Sequence, residues 1–441
     1  MKHKIGIRRE DKNQWERRAP LSPEQIQHLI EKDGLEVIVQ PSPIRVFPDE
    51  AYGKAGATID EDLSRCSVVI GIKEIPPSLL HERTTYIFFS HTIKGQSHNM
   101  PMLRRLRELR CQVIDFELIK DENDRRLIFF GYYAGLAGMI DMLWALGQRL
   151  LWEGMDTPFK QILPAHKYAN LEEARRAIIR IADLIGRDGL PESLVPLVCG
   201  FTGYGRVSQG AQEIYDLLPV QEIPPSHLPS LFERASLLPN ILFKTVFREE
   251  NTVEPVWPDR SFDLQDYYRS PEHYRSRFSR FLPSLTVIAN CIYWEPRYPK
   301  LITKKDMKDL YESEKTPRLR VIGDISCDVD GAIEATVKYT TPSSPVFVYN
   351  PETGEATDGW EGRGPVVLAV DNLPCELPVE SSRMFGEVLL AWVPHLARAD
   401  YEGPVEGCEL PLPVKKALIL YKGEFTEAYR HMEDFLKEKS H

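Results

Sequence analysis

Residues 195–211 read VPLVCGFTGYGRVSQGA. A short apolar run, Val195 to Cys199, leads into Gly203-Tyr204-Gly205, and a helix-compatible segment opens at about Arg206. A strand, a glycine turn and a helix start in that order commit the chain to a βαβ framework. They also build a cradle for a dinucleotide pyrophosphate. Gly203 permits the turn, Gly205 lets backbone approach phosphate, and free helix N–H groups face the anion. The third glycine of the usual fingerprint is replaced by Ser208, with Gly210 two residues on. The turn lies in mid-chain, so another domain, expected to hold the substrate, comes first.

The chain has 441 residues, too many for one hydrophobic core and enough for two domains. Its 55 basic and 65 acidic residues leave a formal net charge of −10. No basic block with interleaved aromatics offers a nucleic-acid surface, and a net negative chain repels phosphate backbones. The start, MKHKIGIRRED, lacks the apolar stretch of a signal peptide. No apolar run reaches the roughly 18 residues of a membrane span. The best candidate, 127–151, carries Asp141, Gln148 and Arg149. Seven cysteines (66, 111, 199, 291, 327, 375, 408) are scattered with no CxxC pair. They read as reduced thiols of a cytoplasmic protein, with no disulfide framework, zinc site or other metal.

Over the first 130 residues strand-like and helix-like segments alternate. Strands are expected at 4–10, 35–42, 67–73, 85–91 and 112–117. A helix follows Ser22, which supplies an N-cap with Pro23 at the first helical position. This rhythm predicts a parallel sheet covered by helices. The fold expected is α/β, two doubly wound Rossmann-like domains with a cleft between them. The substrate domain is assigned 1–150 and 350–441, discontinuous. Residues 151–190 are assigned as a connector, and the long apolar helix pattern at 135–152 is the best candidate for an interdomain connector. The dinucleotide domain takes 191–349, with a Pro-rich aromatic insertion at 224–283. A helix at 379–397 is expected to return to the first domain.

Ionisable residues stand at the carboxyl ends of three predicted strands: Lys73-Glu74, His91 and Glu117. Ligands of open α/β sheets bind outside those ends. A lysine–histidine pair performs general acid–base work when desolvation and neighbours bring it near neutral, and Glu74 and Glu117 are available to tune it. Arg17, Arg18 and Arg126 suit an acidic substrate, because arginine grips carboxylates bidentately. Phe130, Tyr132 and Tyr133 read as core or site wall. Asp324 and Asp328 end the run RVIGDISCD, near an expected nicotinamide ribose; Asn372 and Leu373 of DNLP close the other side. Further cofactor contacts are expected from Gly203, Tyr204, Gly205, Arg206, Val207, Ser226, Cys291 and Ile292. NAD-selective folds carry an acid at the end of the second strand. Here Glu222 lies on that strand, Pro224 stands where the acid is expected, and no arginine follows to hold a 2′-phosphate. NADP(H) is favoured over NAD(H) on the missing acid.

Taken together, these segments resemble the lysine-ketoglutarate reductase half of the bifunctional aminoadipate-semialdehyde synthases, nearly end to end. The blocks that carry the resemblance are REDKNQWERRAPLSP (9–23), VIGIKEIPP (69–77), YIFFSHTIKGQ (86–96), GYYAGLAGMIDML (131–143), FTGYGRVSQGAQ (201–212), YYRSPEHYRSRF (267–278), IYWE (292–295), GDISCDVDGAIE (323–334) and VDNLPCELPVESS (370–382). The chain is more distantly similar to lysine-forming saccharopine dehydrogenase and alanine dehydrogenase. The resemblance implies condensation of lysine with 2-oxoglutarate and reduction of the imine to saccharopine. It assigns Lys73 and His91 as the acid–base pair, and Glu74 and Glu117 as the acids beside them. Arg18, Arg126 and Phe130 line the substrate site, and Asp324 or Asp328 is the aspartate near the nicotinamide. The sequence ends near the end of this half, so a separate saccharopine-cleaving dehydrogenase is the expected partner. Two other readings remain: a reductive aminase for another amine or 2-oxo acid, and a nucleotide-binding regulatory protein without turnover.

Overall fold

The computed structural model describes residues 3–232 and 238–437. The chain forms two compact units, Met1–Phe130 with Pro378–His441, and Gly131–Leu377. The first unit opens with six parallel strands: β1 (Lys4–Ile7), β2 (Glu36–Val39), β3 (Thr58–Ile59), β4 (Val68–Ile70), β5 (Thr85–Phe88) and β6 (Gln112–Asp115). β1, β4, β5 and β6 lie side by side in that order. Their apolar runs are buried on both faces, as parallel strands require. α1 (Pro23–Asp33) begins as the sequence indicates. Ser22 accepts the Gln25 N–H, and Gly34 closes the helix with φ +69°. α2 (Asp49–Lys54) and α3 (Met100–Glu108) complete the helical patterns between the strands.

The second unit starts with α4 (Gly131–Trp152) and α5 (Leu171–Asp188), followed by β7 (Val198–Thr202), α6 (Arg206–Tyr215), β8 (Val220–Glu222) and β9 (Leu242–Phe247). A hairpin of β10 (Val253–Pro255) and β11 (Tyr274–Ser276) stands apart from the main sheet. β12 (Val287–Asn290), β13 (Val321–Asp324), β14 (Val346–Tyr349), β15 (Ala356–Asp358) and β16 (Val366–Leu368) finish the sheet. Its order is β15-β14-β16-β13-β12-β7-β9-β8. The chain then rejoins the first unit through the helix Pro378–Leu390. β17 (Leu418–Tyr421) and β18 (Glu424–Phe425) are added antiparallel at the first sheet's edge. β14 is likewise antiparallel to its neighbours, so both sheets are mixed rather than purely parallel.

Three boundaries differ from the sequence reading. The units divide after Phe130 and Leu377, not near 150 and 350. The 135–152 helix and the 151–190 segment are not connectors. α4 and α5 bury their apolar faces in the same core as β7. The 224–283 stretch is not wholly an insertion, because it contains β9, which pairs with β7 over five residues. Residues 233–237 of that stretch lie outside the described residues.

α4 and α6 cross with their backbones in contact. A Cβ on Gly135 would lie 2.0 Å from the Val207 carbonyl oxygen, and one on Gly210 would lie 2.1 Å from that of Tyr132. Gly210 therefore supplies the close packing that the absent third glycine would supply. Gly210→Ala gains up to about 1 kcal/mol of helix propensity. It forces a methyl into backbone, however, and overpacking costs about 1–3 kcal/mol. We expect a net loss of stability, measured as a lower urea midpoint.

Candidate active site

The loops that leave β1, β4, β5 and β6 carry the charged cluster of the first unit. His91 Nδ1 lies 2.6 Å from Glu74 Oε1. Burial opposes ionisation of Glu74, but the hydrogen bond and charge of His91, with Lys12 3.4 Å away, hold its pKa at about 2. An ionised carboxylate only accepts, so Nδ1 carries the hydrogen and Nε2 is left to exchange protons. His91 adopts a left-handed backbone, φ +48°. Its carbonyl accepts from Asn99 Nδ2 at 3.1 Å. Lys73 is half-buried. Desolvation, reinforced by the positive charges of Arg18 and Lys12, pushes its ammonium below the usual range.

Two buried acids that the sequence reading did not single out hold these loops. Glu10 Oε1 accepts the Ile72 N–H at 2.7 Å, and Oε2 accepts that of Lys73 at 2.9 Å. Asp115 does the same one strand further on. Oδ2 accepts the Ser90 N–H at 3.2 Å and its hydroxyl at 2.5 Å, and Oδ1 accepts the Glu117 N–H at 2.8 Å. Burial pushes Glu10 up to about 7 and Asp115 up to about 6. The visible signal was an acid ending or closely following each apolar strand.

Both groups have raised folded-state pKa values, so their stabilising effect is complete below the unfolded values near 4. It is lost as pH rises through about 6 and 7. Glu74, held low, acts in the opposite sense, but only as pH falls toward about 2. We expect the urea midpoint to fall from pH 4.5 to 8, and Glu10→Gln to flatten part of that slope.

Arg18 donates from Nε to Glu16 Oε1 at 2.7 Å and from a terminal nitrogen to Oε2 at 2.5 Å, with both side chains buried. Its guanidinium lies 4.4 Å from the Phe130 ring centroid, and Phe130 stacks on Phe385. The exposed Arg126 pairs with Glu117. Glu74 is thus joined to His91, Arg18 to Phe130 and Arg126 to Glu117, while Lys73 feels the charges of Arg18, Glu16, Lys12 and Glu74. Arg17 is exposed and donates to the Ile44 carbonyl.

In the second unit Gly203 adopts φ +83°, and its N–H donates to the Phe247 carbonyl at 2.9 Å. Gly205 caps α6, and no side chain caps that end of the helix. A Cβ there would meet nothing within 4 Å. The space beside Gly205, at the N-terminus of α6, is therefore open to the close approach of a phosphate, which agrees with the expected dinucleotide. Tyr204 and Arg206 are exposed beside it, and Val207 packs its carbonyl against Gly135. A Cβ on Gly203 would lie 3.1 Å from Ile292 Cγ2 and 3.5 Å from the Cys291 carbonyl oxygen, so these two residues flank the turn.

Asp324 is buried. It accepts from Asn290 Nδ2 at 2.8 Å, Thr336 Oγ1 at 2.7 Å and the Cys327 N–H at 3.2 Å. Asn290 in turn accepts from Thr202 at 2.8 Å, which ties together the ends of β7, β12 and β13. Asp328 is exposed. Asn372 is half-buried, and Leu373 packs at Gly138 of α4.

The order of the strands revises the sequence reading of the ribose position. β9 stands between β7 and β8, and β8 is the edge strand. Glu222 ends β8 and lies 3.3 Å from Lys244. Ser226 follows on that outer strand. The residues that leave the neighbour of β7 are Arg248 and Glu249. Among the described residues there is no cluster of acids, cysteines and histidines able to hold a metal, and no helix is long and apolar enough to cross a membrane. All seven cysteines are buried free thiols.

The family model described as "Alanine dehydrogenase/PNT, N-terminal domain" matches residues 6–137. The chain is 39% identical over 443 residues to the alpha-aminoadipic semialdehyde synthase of Arabidopsis thaliana, covering 97% of this chain. It spans only 41% of that protein's length. It is 28% identical to the NAD(+), L-lysine-forming saccharopine dehydrogenase of Yarrowia lipolytica, over 90% of this chain and 93% of that protein. Among solved structures, an L-alanine dehydrogenase shares the fold, with a TM-score of 0.61 at 17% identity over 98% of this chain and 99% of that one. Over nearly its whole length the chain is thus homologous to a portion of the alpha-aminoadipic semialdehyde synthases and, more distantly, to a lysine-forming saccharopine dehydrogenase, and it shares the fold of alanine dehydrogenase.

Proposed function

We propose that the chain joins the ε-amine of L-lysine to C2 of 2-oxoglutarate and reduces the imine to saccharopine, with NADPH preferred over NADH. The observation that carries this reading is the Glu74–His91 hydrogen bond beside a half-buried Lys73 of lowered pKa. Condensation needs a neutral substrate amine and proton transfers at the carbinolamine oxygen. Lys73, biased toward its neutral form, takes a proton from the substrate ammonium. His91, oriented through Nδ1, gives a proton from Nε2 to the carbinolamine oxygen, which leaves as water. The new carbon–nitrogen bond forms at C2 and the C2–oxygen bond breaks: one proton of the neutral amine passes to the carbinolamine oxygen, the second comes from His91, and the other amine proton stays on nitrogen as the iminium, so that hydride addition at C2 gives the secondary amine directly. Arg18 and Arg126 are the cations assigned to the carboxylates of 2-oxoglutarate, and Phe130 braces Arg18.

Gly203, Gly205 and the first turn of α6 would hold the dinucleotide pyrophosphate. Tyr204, Arg206 and Val207 lie on that side of the turn, with Cys291 and Ile292 opposite. Asp328, Asn372 and Leu373 are assigned to the nicotinamide end. Asp324 is assigned to bracing the strand ends there, since its carboxylate is already bonded. Ser226 remains assigned to the adenosine end. When bound, the nicotinamide supplies the hydride that reduces the imine carbon. Saccharopine would then pass to a saccharopine-cleaving dehydrogenase, and a reducing cytoplasmic setting agrees with the free thiols.

The test is loss of reduced-cofactor absorbance when purified chain meets lysine, 2-oxoglutarate and either NADPH or NADH. Silence here with turnover of another amine would redirect the reading to a different reductive aminase. Tight nucleotide binding without turnover on a broad panel would mark a binding protein.

A further inference from the structure

Arg248 and Glu249 follow directly on β9, the strand next to β7. The bond from the Gly203 N–H to the Phe247 carbonyl holds the start of that segment against the glycine turn. In dinucleotide folds this position meets the adenosine ribose. An acid there binds the free 2′-hydroxyl, and an arginine binds a 2′-phosphate. This chain carries one of each, side by side, and their surroundings decide between them.

Glu249 is engaged. Its Oε1 accepts the Tyr268 hydroxyl at 2.6 Å and the Tyr204 hydroxyl at 3.4 Å. Arg248 is exposed, and its guanidinium carbon lies 4.6 Å from the centroid of the Tyr204 ring. No carboxylate of the described residues lies within ion-pair distance of it. The result is a guanidinium braced on an aromatic side chain of the glycine turn itself, its donors unpaired among the described residues, while the competing acid is bound to two phenols. A stacked guanidinium keeps its planar fork, and that fork fits phosphate oxygens in pairs.

We infer that Arg248, braced on Tyr204, selects the dinucleotide that carries a 2′-phosphate, and that Tyr268 and Tyr204 keep Glu249 from favouring the free ribose. This rests on the proposal that the chain binds a nicotinamide dinucleotide. It also supplies the arginine that the sequence order after β8 lacked.

The test is calorimetric titration of the intact chain with 2′,5′-ADP, 5′-AMP, NADPH and NADH. The unaltered protein binds 2′,5′-ADP and NADPH more tightly than their partners without the 2′-phosphate. Arg248→Ala weakens 2′,5′-ADP and NADPH by about 10- to 100-fold, the range for charge-assisted bonds, and moves 5′-AMP and NADH by no more than about twofold. Arg248→Lys keeps the charge but loses the fork, and lies between the two. The preference also shrinks as salt is raised. Equal binding of both nucleotide classes by the unaltered protein overturns the assignment of Arg248. So does an equal loss for both in Arg248→Ala. Neither touches the dinucleotide reading. Failure to bind any of the four ligands overturns both.

Discussion

Lys73→Met combined with His91→Gln removes turnover and leaves dinucleotide affinity within about twofold. Each proton-transfer group contributes about 10²–10⁴ in rate. Groups that act as a unit lose most of that with the first substitution, so each single variant should approach the double one. The glycine turn lies on a different sheet from both residues, and neither substitution alters it. Glu74→Gln separates orientation from chemistry, because it keeps the imidazole but removes the carboxylate that fixes Nδ1–H. It should lower kcat less than His91→Gln and shift the pH profile. Double-variant activity within about tenfold of the unaltered chain would sink the assignment.

Arg18→Ala carries the second large effect, this time on stability. Glu16 and Arg18 are both buried and joined through two hydrogen bonds. Removing the cation leaves the oxygens of Glu16 without that fork, in a site closed to water. Breaking a buried pair from one side costs about 3–5 kcal/mol. Replacing both partners, Glu16→Gln with Arg18→Met, should recover much of the stability without restoring turnover. The check is the urea midpoint of both variants against that of the unaltered chain. A loss below about 1 kcal/mol in Arg18→Ala would mean the pair is far wetter than its burial implies.

Much of the first unit was legible because buried parallel strands leave apolar runs such as SVVIGI and TYIFF, and their ionisable ends announce themselves. Lys73, His91 and Glu117 were read in that way. Glu10 and Asp115 were not, although both are plainly acids near strand ends. What makes them matter is the satisfaction of four backbone N–H groups across the sheet, which no local pattern records. The order β7-β9-β8 was also hidden. β8 is three residues long and largely exposed, and β9 lies in a stretch whose Pro-rich surroundings resemble an insertion. Strand neighbours are set by where the connections run, not by the strands themselves. The same limit applies to α4: its apolar composition shows that it is buried, but not in which unit.

His91 brings its imidazole to Glu74 from a left-handed backbone, which costs a residue other than glycine about 1–2 kcal/mol. Glycine and asparagine occupy that conformation more readily. Selection for heat resistance alone would therefore tend to replace His91, and the more durable protein would have lost one of its proton carriers. The histidine can persist only under continued selection for turnover, so a chain of this fold with Gly or Asn at this place would be one in which that demand has lapsed.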